Sequence, residues 1–420
     1  MSILITGLDQ IITFKKTTVP LTGRAMRDIN IIKSGAILID EKKIVAIGKE
    51  REIKKHKLVK NAKHIKMRGV ALPGFVDSHT HAIFAEPRLR DFSLRVSGSS
   101  YQEIKAAGGG IISSIKALRK QSPIEMEKQL LGRAKKFLEY GTTTAEVKTG
   151  YGLDFKYEVK MLEVLKKAAQ KTSLEMPATL LSAHSVPPEF KGNTKKYLEF
   201  IIAEILPFVA KKKLAIFVDI FCEKGYFGAK ESFAYLSQAK KFGFIGKIHA
   251  EQLSSFGGIA AGVCAGAISA DHADYANLAD IKVAAQTGMI LTLLPASNFY
   301  LGISKYPNAR KMIDLGVAIA LATDFNPGTS PCWNMQEVLS LASINMGMTP
   351  EESIVASTIN GAYALNMADK TGSLEVGKQA DIAIFDAEDY REISYYFGGN
   401  LNLMTVKKGK IVYESKNYSL

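Results

Sequence analysis

Short runs of hydrophobic residues, separated by polar turns, occupy both ends of the chain. Runs of this length, with no room between them for long helices, predict β-strands joined by tight turns. The clearest runs are Ala36–Ile39, Ile44–Ile47, Asp381–Phe385 and Met404–Tyr413, with a turn expected at Lys408–Gly409. We therefore expect strands from both chain ends to form one β-domain.

The pattern changes in the middle of the chain, where short apolar runs alternate with longer amphipathic stretches. This alternation is typical of a parallel α/β fold. The expected strands are Val70–His79, Thr143–Lys148, Ala178–His184, Val218–Glu223, Lys247–Glu251, Ala267–His272, Met289–Pro295 and Ala318–Asp324. The expected helices include Pro123–Tyr140, Phe155–Gln170, Lys195–Val209 and Lys230–Phe242. The sequence therefore predicts an α/β protein: a (β/α)8 TIM-like barrel over residues 71–371, with a β-sandwich domain formed from both chain ends, residues 1–70 and 372–420.

Composition narrows the class of protein. The 420 residues are 47% hydrophobic and 23% charged, as expected of a folded globular protein. The net charge of +14 raises nucleic acid as a partner, and residues 1–70 alone hold 16 basic against 6 acidic side chains. No nucleic-acid-binding motif accompanies this excess, so we interpret it as a solvated basic surface. The three scattered cysteines favour a reducing cytoplasm, and no apolar run approaches the roughly 18 residues of a membrane span.

Polar residues fall where the predicted strands end. Of seven histidines, five lie at or next to these positions: His79, His81, His184, His249 and His272. The carboxyl ends of barrel strands converge on one mouth, where Asp324 would join them. Taken alone, His79 and His81 are often only polar residues at a strand end. Together with His249 and Asp324 they favour a site for zinc or iron, because Mg²⁺ and Ca²⁺ prefer oxygen ligands.

These residues carry a family resemblance. The stretch Pro73–His81, the later His249 and His272, and Thr323–Asp324 resemble the amidohydrolase superfamily. A narrower resemblance, to the imidazolonepropionase family, rests on Glu146–Asp154, Ala183–Phe190, Asp219–Gly225, His249–Ser254, Ser269–His272 and Thr323–Gly328. It extends over nearly the whole chain. It implies hydrolysis of the cyclic amide C–N bond of 4-imidazolone-5-propanoate to N-formimino-L-glutamate in histidine degradation.

The resemblance also implies roles for individual residues. It makes His79, His81, His249 and Asp324 the ligands of one Zn²⁺ or Fe ion per subunit, with an activated water. Asp324 would move the proton with His184 or His272 assisting, and His272 either stabilises the oxyanion or forms a structural hydrogen bond with Asp324. The implied substrate-binding residues are Arg88 for the propionate, Tyr151 and His184 for the ring, and Asn326, Gly328 and Thr329 for the chain, with Tyr101 a weaker candidate.

Gln252 departs from a pattern of the superfamily. Many deaminases, and some members of the imidazolonepropionase family, have at this position a glutamate that carries a proton to the leaving group, whereas an amide can hold the ring but cannot transfer a proton. This counts against a deaminase. Glu251 has no assigned role, and Glu223 is expected to orient a ligand histidine.

Two further classes of protein compete with an enzyme, namely an inactive scaffold that binds partners and a nucleic-acid-binding protein. The complete set of His79, His81, His249 and Asp324 counts against an inactive scaffold, because such a scaffold needs no metal ligands. The resemblance implies a homodimer that acts on a small molecule. A cytoplasmic location follows from the cysteines, and the lack of a binding motif and of a long apolar run leads us to expect neither nucleic acid nor membrane as partner.

Overall fold

The computed structural model describes residues 2–99, 103–104 and 107–416, and the following statements concern these residues. The strands are β1 Ile3–Phe14, β2 Ile29–Asp40, β3 Lys43–Lys49, β4 Lys63–Lys66, β5 Val70–Pro73, β6 Phe75–Asp77, β7 Thr142–Ala145, β8 Val147–Lys148, β9 Ala178–Ala183, β10 Phe217–Cys222, β11 Ile245–Ala250, β12 Ser269–His272, β13 Ile290–Leu293, β14 Ile319–Leu321, β15 Ile382–Phe385, β16 Asn402–Lys407 and β17 Lys410–Glu414.

The α-helices alternate with the central strands. They are Glu50–Ile53, Leu89–Val96, Ile111–Lys120, Pro123–Glu139, Phe155–Ala169, Thr194–Phe200, Leu206–Lys212, Ala229–Lys241, Gly258–Ala265, Leu278–Thr287, Pro295–Leu301, Ala309–Asp314, Met335–Met346, Pro350–Ala356, Ile359–Ala364 and Glu392–Tyr395. The predicted helices are confirmed to within a few residues, except that the third is interrupted by a π-helical turn at Ile201–Ile205. Pro207, which has no backbone N–H to donate, lies just after this turn.

The central strands form a curled parallel sheet in the order β14-β13-β12-β11-β10-β9-β8, beside a separate pair, β6-β7. The sequence predicts one closed (β/α)8 barrel, but in the described residues the strands do not form one continuous hydrogen-bonded ring. In the described residues the ladder is divided at two places: β7 pairs with β6 whereas β8 pairs with β9, and β14 and β6 share no strand ladder. Glu146, between β7 and β8, donates its N–H to Asp77 O on the β6 side at 2.9 Å. Beyond the strand ends, Asp324 N donates to His79 O at 3.1 Å and His81 N to Phe325 O at 2.9 Å.

Strands from both chain ends lie in one mixed sheet of order β17-β16-β15-β5-β1-β2-β3, with β4 also paired to β1. Both predicted turns are confirmed: β2 and β3 form a hairpin, and Lys408 and Gly409, with φ of 48° and 73°, join β16 to β17. Instead of the two separately bonded sheets of a sandwich, one sheet changes direction along β1. The first half of β1 pairs with β4 and the second with β5, across a bulge at Gly7, whose φ is +82°.

Hydrophobic side chains from the parallel sheet and its helices form the main core, and the mixed sheet has a core of its own. The parallel strands are buried on both faces, as is usual where helices cover a sheet. In the part of the chain that the structure describes, no helix is both long and apolar enough to span a bilayer. Cys222, Cys264 and Cys332 are free thiols.

Candidate metal centre and active site

Five predicted site residues meet where the parallel strands end. His79 Nε2 and His81 Nε2 each lie 3.6 Å from Asp324 Oδ1, and His249 Nε2 lies 3.4 Å from His81 Nε2. The ring of His272 lies 5.4 Å from that of His249, centre to centre. Ligand atoms of His79, His81 and Asp324 fall within 4.8 Å of one another, and so do those of His79, His249 and His272. Four imidazoles and one carboxylate therefore surround one small volume.

The backbone is strained where it presents these side chains. His272 and Asp324 have φ of 85° and 53°, and Glu251, two residues after His249, has a φ of 52°. Residues with side chains rarely adopt a positive φ, and such strain concentrates at functional sites. At these strand ends the backbone turns sharply, which directs His272 and Asp324 into the mouth.

A buried ion cluster lies behind the histidines. It consists of Glu146, Lys148, Asp219, Lys247 and Asp271, none of which is exposed. Asp271 Oδ2 lies 2.6 Å from His79 Nδ1, and Asp219 Oδ2 lies 2.9 Å from His249 Nδ1. Sequence reasoning missed all five roles. The available signal was that charged side chains interrupt strands that otherwise read as fully buried.

The electrostatics of the site suit a bound cation. Burial lowers the pKa of His79 and His81 well below the ordinary histidine value, so both imidazoles are neutral and able to bind a metal. Burial also raises the pKa of the Asp324 carboxyl to about 8, and a bound cation would favour its charged form. His79 Nε2 is buried without a hydrogen-bond partner. The donor set, the unpaired nitrogen and the three carboxylates against two lysines in the ion cluster fit a transition-metal ion.

His184 and Tyr151 form one wall beside this centre. The His184 ring stacks on that of His81 at 5.2 Å, and its Nδ1 lies 3.1 Å from Gly150 O. The Tyr151 ring lies 5.7 Å from the His184 ring. Burial lowers the pKa of His184, so this side chain is neutral near pH 7. It can therefore give or accept a hydrogen bond without carrying a charge.

Arg88 is held between two segments. Its Nε donates to Ser114 Oγ at 2.8 Å, and its backbone N–H donates to Pro327 O at 3.0 Å. Gly328 lies against the guanidinium: a Cβ at this position would stand 2.3 Å from Arg88 Nη1. The structure thus places Arg88 and Gly328 together, although they are far apart in the sequence.

Asn326 organises its own loop. Its Oδ1 accepts from the N–H groups of Gly328 and Thr329 at 2.8 and 2.7 Å, and its Nδ2 donates to Asp324 O at 2.6 Å and Thr329 Oγ1 at 2.8 Å. The side chain is thus fully used in shaping the loop that follows Asp324. The three predicted chain-binding residues, Asn326, Gly328 and Thr329, lie together in this loop.

Gln252 is half-buried in the loop after β11. The nearby glutamates have structural roles. Glu223 accepts from the N–H groups of Leu253 and Ser254 at 2.8 and 3.1 Å, so it anchors this loop and does not orient a ligand histidine as expected. Glu251 accepts from Gly258 N at 2.7 Å at the start of a helix and points away from the mouth. Tyr101 lies outside the described residues.

Sequence comparison places the chain among known proteins. The profile of the Amidohydrolase family matches residues 70–412. The imidazolonepropionase of Bacillus cytotoxicus is 40% identical over 414 residues, which cover 98% of this chain and 97% of that protein. The imidazolonepropionase of Alkaliphilus metalliredigens is 39% identical over 413 residues, which cover 98% of each chain.

Solved structures share the fold at low sequence identity. The zinc complex of atrazine chlorohydrolase from Arthrobacter aurescens TC1 superposes with a TM-score of 0.71 at 18% identity, covering 98% of this chain and 95% of that one. Guanine deaminase from E. coli gives a TM-score of 0.70 at 17% identity, covering 99% of this chain and 100% of that one.

Proposed function

The chain belongs to the amidohydrolase family, and we propose that it hydrolyses the cyclic amide C–N bond of 4-imidazolone-5-propanoate to give N-formimino-L-glutamate, a step of histidine degradation. The observation that carries this proposal is the identity of about 40%, over nearly the whole of both chains, to proteins named imidazolonepropionase. The geometry of the site supports the proposal, because the metal-binding and catalytic side chains that the resemblance implies lie together at the mouth formed by the strand ends.

The proposal includes one Zn²⁺ or Fe ion per subunit, held by His79, His81, His249 and Asp324. These residues fit such an ion: their donor atoms lie close to one another, and three of the four donors are imidazole nitrogens. When bound, the ion supplies Lewis acidity that polarises a carbonyl and lowers the pKa of water. The family and the residues present support a metal site, and zinc and iron suit this donor set equally.

Asp324 has a second role in the proposal. Its carboxylate accepts a proton from the attacking water and passes it to the ring nitrogen that leaves when the C–N bond breaks. His272, whose Nδ1 lies 3.8 Å from Asp274 Oδ2, donates a hydrogen bond to the carbonyl oxygen as negative charge develops. His184, whose ring stacks on that of His81, assists the proton transfer by Asp324. Gln252 contacts the substrate ring but transfers no proton.

Recognition of the propionate is assigned to Arg88. Its permanent positive charge and its two anchors, Ser114 and the loop before Gly328, suit a fixed carboxylate partner. Tyr151 and His184 would flank the imidazolone ring, and the loop of Asn326, Gly328 and Thr329 would hold the chain through the Thr329 hydroxyl, because the N–H groups of Gly328 and Thr329 donate to Asn326 Oδ1. Substrate is thereby fixed at both ends before hydrolysis begins.

We also assign the chain to two domains: a (β/α)8 barrel over residues 71–371 and a β-sandwich formed from residues 1–70 and 372–420, whose two layers would be the parts of the single mixed sheet on either side of the bulge in β1. Barrel closure is supported by hydrogen bonds from Thr323 to the Asp77 carboxylate, at 3.0 Å from the backbone N–H and 2.6 Å from the hydroxyl. These bonds link the segment after β14 to β6. We further propose that the protein acts as a homodimer.

The test is loss of the ultraviolet absorbance of freshly generated 4-imidazolone-5-propanoate on addition of purified protein. We expect rapid loss that a chelator abolishes and that Asp324→Ala reduces by at least about 10³-fold, because this variant loses both a ligand and the proton carrier. A protein that holds one equivalent of metal and yet leaves the absorbance unchanged contradicts the proposed substrate. Other cyclic amides and amidines, including amino-substituted heterocycles of the kind that deaminases hydrolyse, would then be tested.

A further inference from the structure

We propose that Lys148 is a positioning residue that fixes the orientation of two ligand histidines at once, through the carboxylates behind them. This inference rests on the metal site of the proposed function. Lys148 Nζ lies 2.7 Å from Asp219 Oδ2 and 3.4 Å from Asp271 Oδ2. These are the carboxylate oxygens that approach His249 Nδ1 and His79 Nδ1. One ammonium group therefore bridges both pairs.

The bridge decides which nitrogen of each ring faces the mouth. An ionised carboxylate accepts from Nδ1–H, which leaves the lone pair on Nε2 free for a metal. His79 Nε2 faces Asp324, and His249 Nε2 faces His81. Lys148 thus acts on the metal site from the opposite side of the rings, without touching either histidine or the substrate.

The surroundings give this role to Lys148 in particular. Asp219 Oδ1 is held by the N–H groups of Ile220 and His249, at 2.7 and 3.2 Å, whereas Lys148 is the cation of the described residues that holds its Oδ2. Lys148 also donates to Glu146 Oε1 at 3.0 Å. Removal of the Lys148 ammonium leaves no cation that bridges Asp219 and Asp271, although Lys247 stays 3.6 Å from Asp271 Oδ2, and the two nearby carboxylates then repel each other.

Lys247 offers a matched control inside the same buried ion cluster. It is as buried as Lys148, and its Nζ donates to Glu146 Oε2 and Ser78 O, both at 2.7 Å. Its distance to Asp271 Oδ2 is 3.6 Å, and it makes no ion pair with Asp219 in the described part of the chain. Loss of Lys247 therefore removes a buried charge but leaves the bridge between the two carboxylates in place.

The experiment compares wild type, Lys148→Met, Lys148→Gln and Lys247→Met, each prepared metal-free and checked for folding by circular dichroism. Zn²⁺ affinity is measured by competition with a chelating dye. The coordination of the metal is compared through the visible absorption spectra of the Co²⁺-loaded proteins. We expect Zn²⁺ affinity to fall about 10- to 100-fold in the Lys148 variants, with an altered Co²⁺ spectrum, since partners behind metal ligands have effects of this size. Lys247→Met should lower Zn²⁺ affinity by less than about threefold.

Two further readouts separate orientation from simple destabilisation. In ¹⁵N-histidine spectra of the metal-free protein, wild type should show His79 and His249 protonated at Nδ1, and the Lys148 variants should show mixed tautomers. In a double-mutant cycle, Lys148→Met and Asp219→Asn should lower Zn²⁺ affinity less than additively, because both act through one contact.

The outcomes are distinguishable. A wild-type protein that binds no metal contradicts the proposed function itself. Folded Lys148 variants with wild-type Zn²⁺ affinity and tautomers overturn the positioning role, and so does an equal loss of affinity in Lys247→Met. Failure of both Lys148 variants to fold, while Lys247→Met folds, would assign Lys148 to fold stability and likewise overturn the inference.

Discussion

Gly328 shows how one residue without a side chain can control another. A Cβ at Gly328 would stand 2.3 Å from Arg88 Nη1 and 2.8 Å from its Cζ, much closer than van der Waals contact. The Arg88 side chain is fixed on its other side by Ser114. The guanidinium can therefore occupy its present place only because position 328 is glycine.

We expect Gly328→Ala to displace Arg88 and to raise KM for the propionate substrate about tenfold or more, with a smaller effect on kcat. Steady-state kinetics on 4-imidazolone-5-propanoate measure this. Gly399→Ala is the matched control, because a Cβ at Gly399 meets nothing within 4 Å. An unchanged KM in Gly328→Ala would contradict the placement of Arg88 at the propionate.

Asp274 predicts a pH dependence of stability. Burial raises the pKa of its carboxyl from 3.8 to about 7, although Asn298 Nδ2 donates to it at 2.6 Å. The folded state therefore holds this proton more tightly than the unfolded state, and the resulting stability is present below about pH 4 and is lost as the pH rises through about 7. Asp274→Asn keeps the hydrogen bond and removes the titration.

We expect Asp274→Asn to be similar in stability to wild type near pH 4 and more stable at pH 8, by at most about 4 kcal/mol at roughly 1.4 kcal/mol per pKa unit. Urea unfolding of the metal-free proteins across this range measures the difference. Parallel pH profiles for the two proteins would show that Asp274 titrates normally.

At the residue scale, the sequence predicted the residues that meet in the mouth but not those that support them. His79, His249 and Asp324 could be found because histidines and carboxylates at strand ends are chemically conspicuous. Lys148 and Asp271 lie within strands, where a charged residue reads only as an exception to the hydrophobic pattern. Their partners are distant in sequence, so their pairing became visible only in three dimensions.

At the scale of elements, the helix Phe155–Ala169 holds the loop that carries Tyr151. Glu158 Oε1 on this helix accepts from the N–H groups of Gly152 and Leu153 at 2.8 and 2.9 Å, and also from Gly150 at 3.3 Å. One buried carboxylate thus replaces the backbone partners that the loop lacks. The position of Tyr151 depends on the helix through this contact.

We expect Glu158→Gln to lower the free energy of unfolding by about 1–3 kcal/mol, because a neutral amide oxygen is a weaker acceptor than a carboxylate for the three backbone donors, and the amide N–H₂ replaces the Oε2 that accepts from Ser182 Oγ. KM should also rise as Tyr151 loses its fixed position. Glu163→Gln, at an exposed position of the same helix, is the control and should change neither quantity. Equal stability of the two variants would contradict the role of Glu158.

Hydrophobic periodicity located most elements correctly, and it failed where hydrogen bonding departs from the regular pattern. The break between β7 and β8 and the π-helical turn before Pro207 are places where the regular pattern of backbone hydrogen bonds changes over one or a few residues. The direction of β1, which pairs with β4 and then β5, depends on a bulge at Gly7. A pattern of apolar and polar residues has the same appearance with or without such local departures.

At the scale of the whole molecule, Lys407 connects the mixed sheet to the parallel sheet. This buried residue of β16 donates to Asp381 Oδ2 at 2.8 Å and to Glu175 Oε2 at 2.9 Å, just before β9. Lys407 and Lys408 together lower the pKa of Glu175 despite its partial burial. The two parts of the fold are thus joined by charges as well as by apolar packing.

We expect Lys407→Met to lower the free energy of unfolding by about 3–5 kcal/mol, because Asp381 would remain buried without its cation. Lys410→Met, at an exposed position of the neighbouring strand, should change it by no more than about 0.5 kcal/mol. Chemical denaturation measures both. A Lys407 variant as stable as the Lys410 variant would show that the ion pairs contribute nothing to stability.

The sequence predicted that both chain ends form β-structure beside a parallel α/β core, because local patterns reveal strand type. Whether the strands close into one ladder or two depends on registers set by contacts between distant residues, such as Thr323 with Asp77. Local patterns do not contain that information.

The position of β5 has a consequence for biosynthesis. β5 pairs on one side with β1 and on the other with β15, which lies about 300 residues later in the sequence. During translation the amino end leaves the ribosome first, so the edge of β5 has no native partner until residues 382–385 have emerged. An open strand edge invites pairing with other chains. Until β15 is released, the open edge of β5 is therefore a place where a nascent chain can pair with another chain or recruit a chaperone.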